Sequence, residues 1–446
     1  MRDLAEIKLW GRSIGAISQD PKGLCTFEYE KKFQGSGMEI SPVAMPLSPR
    51  RYSFPSLAKE TFHGLPGLLA DSLPDKFGNT LINAWLATQD RTTESFNAIE
   101  RLCYTGNCGM GALEFVPATK PEPSSSHRLK IDQLVELASN TLSNRVELQD
   151  QLNFDDLFTE QTDDTATLSE ILQVGTSAGG ARAKAVIGWN PKTQELCSGQ
   201  IDTKGTDFEH WLLKFDGVAS NKNKENNDKG LHDPTGYTVR EYAYSHMAKA
   251  AGIEMMPCKL LEENGRHHFL TQRFDRSDTG EKIHMQSLCA IAHLDFNMVG
   301  HHSYEQCFLV MRQLKLSMYD IEQQFRRMVY NIIACNQNDH VKNIAFLMNK
   351  RGQWKLSPAF DITYSHNPTG RYTSSHQMSM NGKTDSFTLK DFEKCAKAAL
   401  MKRGRAKTIV QEVTEAVSQW KTIAKDADVE QKLIKETQKS LRLKIA

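Results

Sequence analysis

The hydrophobic period of the chain changes at Arg276, and that change limits its possible folds more than any other feature. Before Arg276 the apolar residues fall mostly into short strand-like runs. Ala5–Trp10 and Gly23–Tyr29 alternate apolar and polar residues, as half-buried strands do. A clear helical pattern there is Pro74–Asp90, with Phe77, Leu81, Ile82, Trp85 and Leu86 at helical spacing. After Arg276 long amphipathic patterns take over. In Ile321–Asn336 the residues Ile321, Phe325, Met328, Val329, Ile332 and Ile333 form one helix face, and from Lys390 onward the pattern is mostly helical with mixed charge. The expected fold class is therefore α+β, strands first and helices after.

Two polar stretches punctuate this order. Residues 119–128, TKPEPSSSHR, have no large apolar residue and read as a linker. Ser220–Gly236 is too polar to pack and reads as a surface loop. The expected divisions are residues 1–118, 129–276 and 277–446. With 55 Lys+Arg against 54 Asp+Glu the net charge is +1, which argues against nucleic-acid phosphate as the main partner. No apolar run approaches the roughly 20 residues that span a bilayer, and the start, MRDLAEIKLWGRSIG, has no apolar core of a secretory signal. A cytoplasmic protein with no membrane partner is expected. Nine cysteines without a CxxC suggest neither a disulfide framework nor a structural zinc site.

Four clusters carry chemistry. Val174–Ala185, VGTSAGGARAKA, is a glycine-rich turn whose backbone N–H groups could cradle phosphate, although it lacks Walker A spacing and reads equally well as a β-turn with Ser177 as a turn serine. In HWLLKFD, Lys214 interrupts an apolar strand and needs a partner or ligand, unless its amine snorkels at the strand end. Glu241, in the helical pattern REYAYSHMAKAAG, is its candidate partner. In NQNDHVKN, Asn343 fits a metal-holding position and the residue five before it is Asn338, with Asp339 one place later. A polar run between two apolar elements needs a purpose; the bland reading is a helix-to-strand loop. In LSPAFDITYS, Asp361 follows an apolar hairpin that turns at Asn349–Gly352. Kinases hold Mg²⁺ at such a place, although a lone Asp after a strand is more often a cap. Taken in order, the set suits phosphoryl transfer: positive charge for phosphates, hard oxygen ligands for a cation, and an oriented hydroxyl.

The order and wording of these motifs resemble the HipA family of bacterial kinases, toxins of toxin–antitoxin pairs, over nearly the whole chain. FHGLPGLLADSLPDKFGNTLI (Phe62–Ile82) is similar to the family's N-terminal subdomain, GTSAGGARAK to its glycine-rich loop, HWLLKFD to its nucleotide-lysine strand, TQRFDR to its hinge, NDHVKN to its catalytic loop and LSPAFDITYS to its metal-binding segment. The resemblance implies a two-lobed protein-kinase-like core, a strand-rich N-lobe and a helical C-lobe, preceded by a small mixed α/β subdomain. It implies ATP and Mg²⁺ as cofactors. Gly179, Gly180, Ala181, Arg182, Ala183 and Lys184 would lie near the phosphates with Lys214 on them. Gln272, Arg273 and Phe274 would surround the adenine. His340, Lys342 and Asn343 would lie near the nucleotide, and Asn343 and Asp361 would hold the metal. It further implies Ser/Thr phosphorylation of a protein such as an aminoacyl-tRNA synthetase, autophosphorylation of Ser177, and a helix-turn-helix HipB-like antitoxin that carries most of the DNA contact.

One residue departs from the family pattern. Asn338 stands where the family has the catalytic Asp, and an amide cannot take a hydroxyl proton. Three readings stay open: a substitution made to silence a toxic protein, Asp339 acting as base after a loop shift, or a natural ATP-binding pseudokinase that works as a partner-binding module. A small-molecule kinase on the same core is a further alternative, in which Ser177 would have no regulatory role.

Overall fold

The computed structural model describes residues 3–74, 76–87, 91–119, 182–200, 206–218 and 235–445, together with 129, 131–132, 134–135, 138 and 203. The chain divides into two compact units. The first comprises Met1–Gly23, Ser72–Thr238 and Cys258–Lys282; the second comprises Leu24–Asp71, Val239–Pro257 and Ile283–Ala446.

In the first unit the strand Leu4–Leu9 pairs antiparallel with both Arg12–Gln19 and Leu113–Val116. Its alternation is that of a half-buried strand: Ala5, Ile7 and Leu9 are buried and the residues between them are not. The chain reverses at Trp10 and Gly11, both at positive φ, as a two-residue hairpin turn requires. Helix Ala98–Thr105 starts at a capping box in which Asn97 accepts from Glu100 N, and it stops at Gly106. Cys103 to Thr105 thus belong to a helix end, and the glycine cluster GNCGMG is the turn between it and the strand Leu113–Val116.

The larger sheet of this unit is antiparallel, with strands in the order 196–198, 184–189, 209–214, 266–272 and 258–263. One face is closed by Ala185, Ile187, Trp189, Trp211, Leu213 and Leu270. Trp189 and Trp211 meet edge to face at 5.6 Å. After Gln272 the chain is pinned by a buried ion cluster. Asp275 accepts from Arg273 Nε and Nη2 at 2.9 and 2.7 Å, from Arg276 Nη1 at 2.9 Å and from Gly111 N at 2.7 Å. The glycine-cluster turn is therefore tied to the segment after the sheet.

In the second unit the 16-residue helix Met318–Ile333 is the core element. It starts at a Ser317–Asp320 capping box and buries Ile321, Phe325, Met328, Val329, Ile332 and Ile333. It begins one turn earlier than the apolar pattern predicts, because the capping pair lies ahead of the first apolar residue. It ends earlier too: Cys335 takes the left-handed conformation at φ 56° and turns the backbone out of the helix. Helix Arg405–Ser418 lies along it, joined by Arg326 to Glu412 at 2.5 Å. A three-stranded antiparallel sheet runs 284–287, 345–348, 354–356, and its last two strands form the expected hairpin. Gly67 packs against the backbone of the short helix Leu288–Ala292, where a Cβ would lie 2.2 Å from Ala290 O. None of the nine cysteines is in a disulfide. Among the described residues no helix is long and apolar enough to cross a membrane.

Burial pushes the Asp275 carboxyl up, and the Arg273 and Arg276 guanidiniums more than offset it, so its pKa falls below the usual range. A depressed carboxyl contributes stability that is present above its unfolded value of about 3.9 and is lost as the pH drops toward the folded value. Asp275→Ala, which leaves two buried guanidiniums uncompensated, should cost about 3–5 kcal/mol at pH 7, read as a lower melting temperature of the first unit.

Candidate active site

Strand register places the basic residues of the first unit. Lys184 and Lys214 are direct partners across antiparallel strands, so their Cβ atoms are roughly 5 Å apart. Because side chains alternate, both point away from the Trp211 face, and both are buried, at 2% and 7% exposure. Lys214 Nζ also lies 5.8 Å from the centre of the Phe269 ring. Arg182 stacks its guanidinium over Tyr237 at 4.8 Å, and Ala183 O accepts from Phe215 N. Ser177, Gly179, Gly180 and Ala181 lie outside the described residues.

At the end of the 266–272 strand, Gln272 and Phe274 are half-buried and Arg273 is buried. The Arg273 side chain, expected beside an adenine, is committed instead to Asp275. Glu241 is buried in helix Tyr237–Ala250 and belongs to the second unit, whereas Lys214 belongs to the first.

The second unit holds the loop Asn336–Asn343 rigidly from both sides. Asn343 Nδ2 donates to Asn338 O at 2.8 Å, and Gln377 Nε2 donates to Asn338 Oδ1 at 2.9 Å. With its nitrogen anchored, the Asn343 amide has its oxygen as the group able to meet a cation. Asp339 is the anchor of the loop. Its Oδ2 accepts from Tyr304 OH at 2.7 Å and from His376 Nδ1 at 2.8 Å, and its Oδ1 accepts from Gln377 N at 2.8 Å. Burial raises its pKa; the His376 ring, the Tyr304 hydroxyl and the Gln377 N–H bring it down below the ordinary carboxylate value. For Asp339 to act as a base after a loop shift, three hydrogen bonds to a buried charge would have to break.

His340 follows. Burial lowers its pKa to about 4 even though the Asp361 carboxylate opposes the shift, so the ring is neutral at pH 7. Its Nδ1 is buried without a hydrogen-bond partner. Lys342 Nζ lies 5.5 Å from the centre of the Phe296 ring, against which the His340 ring also packs. Asp361 itself is a non-glycine residue at φ 52°, a conformation that costs roughly 1–3 kcal/mol unless its surroundings enforce it. They do: Ala359 N donates to Glu254 O at 2.8 Å, and Ser365 N donates to Cys335 O at 3.1 Å. The second of these bonds fastens the Asp361 segment beside the start of the loop. The Asp361 carboxylate thus lies near enough to act on His340, at the corner of the second unit formed by the loop Asn336–Asn343. Tyr304, His376 and Gln377, which hold that corner together, lie 35 to 38 residues from Asp339, and no periodicity or motif marks them.

Residues 176–420 match the HipA-like C-terminal domain and residues 5–116 the HipA N-terminal domain. A Sinorhizobium fredii protein, "Putative kinase Y4mE", is 23% identical over 136 residues, 28% of this chain and 32% of the relative, so the match spans about a third of that protein's length. HipA in the Shewanella oneidensis MR-1 complex of HipA, HipB and operator DNA is similar over 98% of this chain and 95% of its own, with a TM-score of 0.65 at 14% identity.

Replacing Tyr304 by Phe should cost about 1.5–3 kcal/mol, the worth of a hydrogen bond to a charged group. Asp339→Ala should cost about 3–5 kcal/mol. Because the folded pKa of Asp339 is depressed, both losses should be full at pH 7 and should shrink as the pH falls below about 4, measured by thermal melting.

Proposed function

The chain belongs to the HipA family, and on that premise we propose that it is an ATP- and Mg²⁺-dependent protein serine/threonine kinase that acts as a toxin. What supports the reading is that the Asp361 carboxylate acts on His340, in the same loop whose Asn343 amide nitrogen is anchored on Asn338 O. The Asp361 and Asn343 side chains fit Mg²⁺, which binds carboxylate and amide oxygens. A bound Mg²⁺ would neutralise charge on the transferring phosphates. Lys184 and Lys214 would hold the phosphates themselves, with the glycine-rich loop of Gly179 and Gly180 over them, and Gln272 and Phe274 would border the adenine. Glu241 would orient Lys214. His340 and Lys342 would line the nucleotide from the second unit. A protein substrate such as an aminoacyl-tRNA synthetase, with Ser177 as the site of autophosphorylation, completes the reading.

Asn338 sets the level of activity. Its Oδ1 already accepts from Gln377, and an amide cannot take the proton of an acceptor hydroxyl. Nucleotide binding should survive and transfer should be slow. This residue also favours the second reading, an ATP-binding pseudokinase that acts by holding a partner. The partner in either case is a HipB-like helix-turn-helix antitoxin through which DNA is contacted; the near-neutral charge of the chain suits that division.

Phosphate transfer from ATP should rise about 10²–10⁴-fold in Asn338→Asp, the usual contribution of a general base, and the peptide bearing Ser177 should gain the mass of one phosphoryl group. Equal, substantial transfer by both chains would show that Asn338 is not at the base position. No transfer by either chain, with ATP bound by both, would favour the pseudokinase. In the Asn338→Asp background, Asp361→Ala and Asn343→Ala should each abolish Mg²⁺-dependent transfer while leaving the fold intact by circular dichroism.

A further inference from the structure

The segment around helix Gln431–Ser440 is bonded to the elements that flank the loop. Cys335 Sγ donates to Ser440 O at 2.8 Å, Tyr364 OH and Ser440 Oγ lie 2.8 Å apart, and Arg442 N donates to Ile333 O at 2.9 Å. The Arg442 side chain then reaches in. Its Nη1 bonds His376 Nε2 at 3.1 Å and its Nη2 meets Asp385 Oδ1 at 2.9 Å. Gln337, a member of the loop, is satisfied when its amide oxygen faces Arg442 Nη2 at 3.1 Å and its nitrogen donates to Thr373 O at 2.8 Å and His366 Nδ1 at 2.5 Å.

A guanidinium only donates. His376 Nε2 must therefore accept, and the ring proton must sit on Nδ1, directed at Asp339 Oδ2. In the other tautomer an N–H would face the guanidinium and a lone pair would face the carboxylate, so both bonds would be lost. His376 is fully buried, with the Phe387 ring 5.6 Å away. Asp339 and Arg442 require the same tautomer from the two sides of the ring, the carboxylate by accepting from Nδ1 and the guanidinium by donating to Nε2, so loss of Arg442 removes one of the two contacts that fix it.

The geometry points to Arg442 as a positioning residue for phosphoryl transfer: it locks His376 in the Nδ1–H form, and His376 in turn holds Asp339 and the loop that carries Asn338 and Asn343. The link to phosphoryl transfer rests on the kinase reading; the tautomer lock does not. Arg442 touches no candidate ligand, so its loss should slow the transfer step and spare ATP binding.

The test uses the full chain with Asn338→Asp, alone and combined with Arg442→Ala or Arg442→Lys, and ¹⁵N spectra of the histidine side chains. Arg442→Ala should lower kcat about 10–100-fold, the scale of a small misplacement of reacting groups, with KM for ATP changed by less than about twofold. Arg442→Lys keeps one donor for Nε2 and should recover part of the loss. The His376 spectrum should show a proton on Nδ1 in the parent and a shift toward Nε2 protonation in Arg442→Ala. A kcat that stays near the parent value overturns the proposal, as does a fall in kcat with an unchanged His376 tautomer or with an equal loss of ATP binding. If the parent itself transfers no phosphate, the kinase reading fails, and with it the role in transfer. The spectra then decide the lock on their own: Nε2 protonation in the parent refutes it, and an Nδ1 proton that depends on Arg442 sustains it.

Discussion

A carboxylate buried away from water sets the shape of the loop that matters most. Asp339 cannot stay charged in that position without donors, and three reach it: a tyrosine hydroxyl, a histidine N–H and a backbone N–H. They come from two other parts of the second unit, so the charge works as a clasp that draws helix Tyr304–Gln313, the segment His376–Gln377 and the loop Asn336–Asn343 together. The cost of burying a charge makes the arrangement close to all-or-none. Asn338 and Asn343, on either side of Asp339, inherit their orientation from it.

The first unit uses the same device elsewhere. Asp275 gathers two arginines and the backbone of Gly111, and so fixes the chain where it leaves the sheet at Gln272. The sheet does something different with its own charges. Cross-strand register sets Lys184 against Lys214 on the face opposite the tryptophans.

Much of this was legible in the amino-acid order. The helix that ends at Ile333 showed in its 3.6-residue period, the hairpin after Asn343 in its turn residues, and the strand of Lys214 in an apolar run broken by one charge. The α+β fold class follows from the succession of those elements. What stayed hidden has a common physical cause. The three donors to Asp339 lie more than 30 residues away in the chain, and a hydrogen bond across that distance leaves no period behind. The Asn97 and Ser317 caps, in contrast, are local and could have been read from spacing alone.

Local pattern therefore determined which segments are strands and helices, and which residue types stand at the ends of them. That is because hydrophobic period and capping act over one or two turns of chain. Only the tertiary structure decided what Asp339 does. Sequence leaves it a possible base beside an asparagine; packing surrounds it with three donors and turns it into the anchor of the loop. The difference lies in burial, since a carboxylate's role depends on whether water or protein satisfies its oxygens, and burial belongs to the folded chain as a whole.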